Sequence, residues 1–230
     1  MMAFNITYKL MKKTGLLLTF LSLCIAAMQA NDNPVGLVNP YVDAVNSRWF
    51  FFSSACRPFG MVSLFPDTQT GGDWGSGYRY NTDTIKGFSH VHDWQIAGVS
   101  VQPVVPGKIN PENLFTDYYS KFSHSTEKVS PGYHSVMMER YSIRAELTST
   151  QRVGFHRYTF ADTQEAAVLF ILNGQLGPGR MVDGELTQVD EFTLEGRTVN
   201  APTLRRPENF SVFFRATLNV PVQSVVKDSM

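Results

Sequence analysis

The sequence predicts an all-β chain folded as a large antiparallel β-sandwich, and three observations lead there. Short runs rich in Val, Ile, Tyr, Phe and Thr recur along the chain, and each stops at Gly, Pro, Asn or Asp. Where the pattern is clearest, within 141–150, Ile143, Ala145 and Leu147 face one way while Arg144 and Glu146 face the other. Helical periodicity is nearly absent, so there are no crossover helices to build a parallel sheet.

Taken in order, 35–41 (VGLVNPY) reads as a short entering strand. The run NSRWFFFSS at 46–54 carries too many adjacent rings for one strand face to bury, so it is covered on both sides or partly exposed to a partner. A second apolar strand, 58–64, is stopped by Pro66-Asp67. The stretch 71–98 then gathers glycines around Trp74, Tyr78 and Tyr80. Rigid rings on a pliable backbone suit a flat ligand such as a sugar ring. After a turn at 81–83, residues 85–92 read as one strand with Phe88, His90 and His92 on one side. Residues 99–105 form a strand ended by Pro106-Gly107, and 108–115 a polar loop. Further β-rich runs fill 118–124, 133–140, 141–150, 152–160 and 166–172, with a glycine-rich loop at 173–179 and more strands in 185–199 and 210–220. Another alternating run begins at 222–226 and the chain stops four residues later, which reads as an unfinished domain.

The 230 residues carry 20 Lys plus Arg against 20 Asp plus Glu. With no basic stripe to replace phosphate counterions, a nucleic-acid partner is not expected. Residues 1–30 resemble an export signal: Lys9, Lys12 and Lys13 precede an apolar core at 15–27, and Ala30 offers a small residue for cleavage. Met11 could be the start of a complete signal. The apolar core falls short of the roughly 20 residues a bilayer span needs, so no transmembrane span is expected. Cys24 invites a lipoprotein reading, but Leu23 stands where a small residue would be needed. The expected destination is the periplasm or the extracellular space. Cleavage leaves Cys56 alone, which excludes an internal disulfide and reads as a packed small residue.

Each candidate residue has a plain alternative. Trp74 is a ligand platform or a ring packed under its own loop, and Trp94 is a second such ring. Histidines at 90 and 92 can bond a sugar, sit at a domain junction, or ligate a metal; the metal reading wants a carboxylate about four residues on, where Ile96 and Ala97 stand. Asp73 and Asp93 invite an inverting glycosidase pair, whose carboxyls lie roughly 6.5–9.5 Å apart, while Asp73 also suits a turn cap. His124, His134 and His156 read as structural. Glu127-Lys128 and the region 152–157 read as solvated faces.

Four blocks, VNPYV (38–42), RPFGMVSLFPDT (57–68), DWGSGYRYNTDTIKGFSHVH (73–92) and the long run from YYSKF to HRYTF (118–160), resemble the N-terminal domain of glycoside hydrolase family 92. These are calcium-dependent exo-acting α-mannosidases common in gut Bacteroidetes. The resemblance implies a supersandwich of the galactose-mutarotase-like kind across 31–230, truncated before a helical (α/α)6 catalytic domain. In such proteins the general acid, the general base and most Ca²⁺ ligands belong to the helical domain, so no catalytic residue and no metal ligand is expected in this chain alone. The implied partners are a mannose-containing glycan and the missing (α/α)6 domain. Trp74, with Asp73, matches the aromatic side of the sugar pocket, and His90 and His92 match the family's histidine pair after its GFS motif. Two stretches depart from the family, NSRWFFFSSACR (46–57) and DWQIAG (93–98), the second holding Trp94. The implied function is that of a substrate-pocket and docking domain, inactive by itself. A free-standing carbohydrate-binding or cell-surface module is the alternative, distinguished by a closed polar surface instead of an apolar docking face.

Overall fold

A computed structural model describes residues 33–45, 52, 54–72, 77–113, 117–161 and 166–227. The export signal and the candidates Asp73 and Trp74 lie outside the described residues, as does most of 46–54, of which Phe52 and Ser54 are described and buried. The chain divides into two units, 1–38 and 39–230. In the first, the expected entering strand is instead a 3-10 turn, Pro34–Leu37, with none of its residues buried. Pro34 supplies the fixed φ that starts such a turn.

The second unit holds the strands β1 (Ala55–Cys56), β2 (Ser63–Pro66), β3 (Thr84–Ile85), β4 (Phe88–Asp93), β5 (Ile96–Val104), β6 (Ser120–Lys121), β7 (Lys128–Ser130), β8 (Tyr133–Met138), β9 (Ile143–Ser149), β10 (Gly154–Thr159), β11 (Ala167–Ile171), β12 (Gly174–Leu176), β13 (Gly179–Gln188), β14 (Thr193–Asn200) and β15 (Phe210–Thr217). They pair antiparallel in sheets ordered β1-β2-β4-β5-β11, β10-β9-β8-β7, β12-β13-β14-β15 and β3-β6. The all-β, antiparallel expectation holds.

The first two sheets share one core. Leu64, Phe65, Phe88, Val101 and Val104 from one side meet Val136, Met138, Ile143, Ala145 and Leu147 from the other. The alternation read in β9 is the burial pattern observed there, with Ile143, Ala145 and Leu147 inward. Each such aliphatic side chain contributes about 1.5–3 kcal/mol by leaving water. Strand β5 is buried along its whole length because both of its faces are covered. Its second face meets the β12–β15 sheet: Asn200 accepts from the Ala97 N–H at 2.8 Å and donates to the Ala97 carbonyl at 2.8 Å, beside a small core of Ala97, Leu176 and Met181. Pro103 is tolerated in this central strand because pairing with β4 ends at Val101, leaving no N–H needed on that side.

Several boundaries differ from expectation. The single strand read at 85–92 breaks at Gly87, whose φ of +148° and closeness to Ser100 exclude a side chain; Thr84–Ile85 pairs with β6 while Phe88–Asp93 joins β2 and β5. The polar loop at 108–115 contains part of the 3-10 turn Pro106–Lys108 and the whole of Pro111–Asn113. The glycine-rich loop at 173–179 includes β12. The alternating run at 222–226 is not a strand: Val222 donates to the Glu191 carbonyl at 2.6 Å, while Val226 stands 88% exposed.

Candidate functional site

The described residues on either side of 73–76 meet in a narrow neck. Gln69 and Gly77 form an isolated antiparallel bridge, Gly77 N–H donating to the Gln69 carbonyl at 2.7 Å and Gln69 N–H to the Gly77 carbonyl at 2.8 Å. Thr68 reinforces it, its hydroxyl accepting from Arg79 N–H at 2.7 Å and donating to the Arg79 carbonyl at 3.2 Å. Asp73 and Trp74, the residues between, are not described.

Beneath the neck lies a buried ion pair. Asp67, 2% exposed, directs one carboxylate oxygen at His92 Nε2, 2.6 Å away, while its other oxygen accepts from the Ser89 N–H (3.1 Å) and the Ser89 hydroxyl (2.5 Å). His92, 5% exposed, donates through Nδ1 to the Ser63 carbonyl at 2.6 Å. Both ring nitrogens are thereby engaged with oxygens of the protein. One of its faces stacks on Phe65 at 3.6 Å and 20°. Gly77 sits against the edge of that stack: a Cβ there would fall 2.7 Å from Phe65 and 2.9 Å from His92.

His90, two residues earlier, enters different company. Its Nδ1 lies 2.5 Å from the Val99 carbonyl, its Nε2 faces His156 Nε2 at 2.9 Å, and the Tyr158 hydroxyl reaches His156 Nδ1 at 2.7 Å. A carbonyl can only accept, so His90 carries its proton on Nδ1; its Nε2 then accepts from His156 Nε2–H, and His156 Nδ1 accepts from Tyr158. One tautomer of each ring satisfies the whole relay. Burial depresses the pKa of both rings; at His90 the Val99 hydrogen bond opposes it, and at His156 the neighbouring His90 adds to it and the value lies well below the usual 6.5.

A third group corrects the reading of Glu127 as a solvated residue. Its side chain is fully buried, accepting from Tyr78 OH at 2.9 Å and from His124 Nδ1 at 2.6 Å, with His134 Nε2 at 2.9 Å but off the line of a straight hydrogen bond. His124 also donates through Nε2 to the Tyr80 carbonyl at 2.7 Å and stacks on the Tyr80 ring at 4.0 Å. Burial raises the Glu127 pKa, and the hydrogen bonds and charges from His134, His124 and Tyr78 more than offset it, leaving the carboxyl below its usual value. Tyr78 and Tyr80 are therefore held through Glu127 and His124. Sequence reasoning missed Asp67 and Glu127, for neither has a local signal marking it as buried.

Trp94 lies in the turn between β4 and β5. The Arg205 guanidinium covers its ring at 4.1 Å, Arg206 donates to its carbonyl, and Gln95 (φ +64°) accepts from the Thr203 hydroxyl at 2.6 Å and the Arg205 N–H at 3.2 Å. Asp93 is exposed and accepts from the Trp94 N–H at 2.7 Å.

Among the described residues no three His, Cys, Asp or Glu side chains gather as a metal-binding group. All four nitrogens of His90 and His92 are engaged within the protein. Ca²⁺ takes six to eight oxygens, whereas Asp67 and Glu127 are surrounded by imidazoles and O–H donors. The described residues therefore do not compose a calcium cage.

Comparison with known proteins bears on this arrangement. The profile of the Glycosyl hydrolase family 92 N-terminal domain matches residues 37–227. A solved family GH92 α-mannosidase from Bacteroides thetaiotaomicron is similar at a TM-score of 0.70 and 26% identity, over 82% of this chain and 26% of that one. Its structure in complex with mannoimidazole is similar at a TM-score of 0.69, with the same identity and coverage. A further gh92 family glycosyl hydrolase matches at 0.58 and 20% identity, over 79% of this chain and 26% of that one, and shows the fold alone. The comparison with curated proteins returned no match. The chain thus spans about a quarter of the length of the solved mannosidase it resembles.

Proposed function

This chain belongs to glycosyl hydrolase family 92 as its N-terminal domain, and on that premise we propose that it is the substrate-pocket and docking domain of an exported α-mannosidase-like hydrolase. In the intact enzyme, terminal α-mannosyl linkages are cleaved with inversion by water, the acid, the base and the Ca²⁺ ligands coming from a helical (α/α)6 domain. The observation that carries the reading is the match over 37–227 to a mannosidase fold of which this chain covers about a quarter. Asp73, Trp74 and Trp94 are the residues this reading places nearest the sugar, with His90 and His92 behind them.

Exposed apolar side chains favour the docking role over a free-standing module. Phe59 is fully exposed at a positive φ of 58°, and Met61 is 66% exposed. Their loop is tied to the β9–β10 turn, which presents Val153, by the Met61 N–H to Gln151 carbonyl bond at 2.7 Å, and Phe155 stands exposed at the start of β10. Strain and aromatic exposure at one residue, with no return inside the domain, suit a face that another domain covers. The test is mannose release from an α-mannoside in the presence of Ca²⁺, by this chain alone and by the chain joined to an (α/α)6 domain of the family. The expected result is release by the joined protein only. Release by this chain alone, or equal release by the helical domain without it, overturns the proposal.

A further inference from the structure

We propose that His90, His156 and Tyr158 form a pH-sensitive latch: neutral, it clasps the edge strand β10 against β4, and acid releases β10 locally while the rest of the fold stands. What the latch governs rests on the docking reading above, since Phe155 stands on β10 and the turn before it holds the Phe59–Met61 loop. The latch itself does not depend on that reading.

The cluster ties β5, β4 and β10 together. In the β4–β5 ladder Ser89 pairs with Ser100 and Val91 with Gly98, while His90 and Val99 between them are not paired. Val99 instead has a positive φ of 28°, strained for a β-branched residue, and its carbonyl meets His90 Nδ1. Strand β10 lies at the end of its sheet, with β9 as its ladder partner. The residues it turns toward β4 are Gly154 and His156, against His90, and Tyr158, against Phe88. No aliphatic side chain of β10 makes this contact, so rings and hydrogen bonds hold it. Three protons fill the three bonds of the cluster: His90 Nδ1–H to the Val99 carbonyl, His156 Nε2–H to His90 Nε2, and Tyr158 O–H to His156 Nδ1. A fourth proton has no bond to enter. Added to His90 Nε2, it sets two N–H groups face to face. Added to His156 Nδ1, or relayed there, it displaces the Tyr158 O–H, which has no other hydrogen-bond partner among the described residues. Of the charged groups nearby, His92 disfavours a charge on His90 and Asp67 favours it more weakly, while His90 disfavours a charge on His156. Burial acts in the same sense on both rings and holds them below 6.5. The clasp is therefore complete above about pH 6.5 and is lost as pH falls toward the folded values.

Amide hydrogen exchange of the 230-residue chain at pH 7.5 and pH 5.0 tests the latch, read as protection factors so that the pH dependence of exchange itself cancels. A ring that takes a proton only when β10 is free, with an unperturbed pKa of about 6.5, favours the open form about thirtyfold over that interval. The expected result is a loss of protection of about tenfold or more at the β10 amides that bond β9, with β13 and β14 unchanged. Imidazole nitrogen NMR at pH 7.5 should show His90 protonated at Nδ1 alone and His156 at Nε2 alone. The double variant His90→Gln, His156→Gln keeps an amide at each place and cannot be charged, so its β10 protection should not change with pH. Equal loss in β10 and in β13 and β14 would mean global unfolding and overturns the proposal. So does unchanged β10 protection in the parent protein, a charged ring at pH 7.5, or an acid loss that persists in the double variant. If the double variant does not fold, the exchange and nitrogen spectra of the parent protein decide. None of these readings involves a helical domain, whereas mannose release by the joined protein does, so the latch and the docking reading fail separately.

Discussion

His90 and His92 sit two residues apart on one strand, His92 buried and His90 half-buried, with different partners. His92 is backed by the Asp67 carboxyl at Nε2 and bonds the Ser63 carbonyl at Nδ1. His90 is joined to a second imidazole and a phenol, with no carboxylate bonded to either ring. The difference teaches that the partner the fold brings in, a carboxylate for one ring and an imidazole for the other, decides what each histidine on a shared strand can bond. The first arrangement fastens a loop; the second fastens β4 to β10 only while both rings are neutral.

The strongest way to break the contrast is Asp67→Ala. It leaves His92 and Ser89 without their partner, and removing one member of a buried ion pair costs about 3–5 kcal/mol. Urea denaturation at pH 7 checks this, and a cost near zero would mean the pair organises nothing. Glu127→Gln is the next test, because it keeps the shape of the third carboxylate and removes its charge. A cost of about 1–3 kcal/mol is expected from the imperfectly met Tyr78, His124 and His134 groups. The sign of its pH dependence follows from a folded pKa below the usual 4.5. That stability is present above pH 4.5 and is lost as pH falls through the folded value, so the variant should lack this limb.

The His90–His156 relay gives an earlier limb. Both rings have folded pKa values below 6.5, so the unfolded chain takes up protons first, and stability drops as pH falls from about 6.5 toward the folded values. His156→Phe should cost about 1–2 kcal/mol at pH 7 by leaving the Tyr158 hydroxyl and His90 Nε2 without partners, and should flatten the acid slope. Thermal melts from pH 8 to pH 5 measure both, and an unchanged slope would contradict the neutral-relay assignment. The smallest effect concerns Cys56. Burial pushes its thiol up to about 11, so a thiol reagent at pH 8 should label the folded protein far more slowly than the unfolded one, and Cys56→Ala should leave mannoimidazole binding unchanged.

Much of the sandwich is readable from the chain because its information is local. The alternation in β9, the turn residues between strands and the shared strand of His90 and His92 are all set by neighbours one or two residues away. Asp67 and Glu127 are not readable this way. Each is followed by ordinary polar sequence, and what buries them is a partner in another part of the fold: His92 25 residues on for Asp67, Tyr78 49 residues back for Glu127. The stretch 222–226 fails for the converse reason. Its alternation is genuine, but a strand needs a ladder partner, and among the described residues its backbone makes one inter-segment donor bond, from Val222. Gly87 breaks a strand because Ser100 lies against it, which no periodicity reports.

The central claim of the proposed function is that this domain supplies one wall of a mannose pocket beside the Gln69–Gly77 bridge. Amide NMR shifts during a mannoimidazole titration test it most directly. The account predicts saturable shifts at Gln69 and across residues 77–80, with β13 and β14 unmoved; shifts confined to the β12–β15 sheet, or none at saturating ligand, would contradict it.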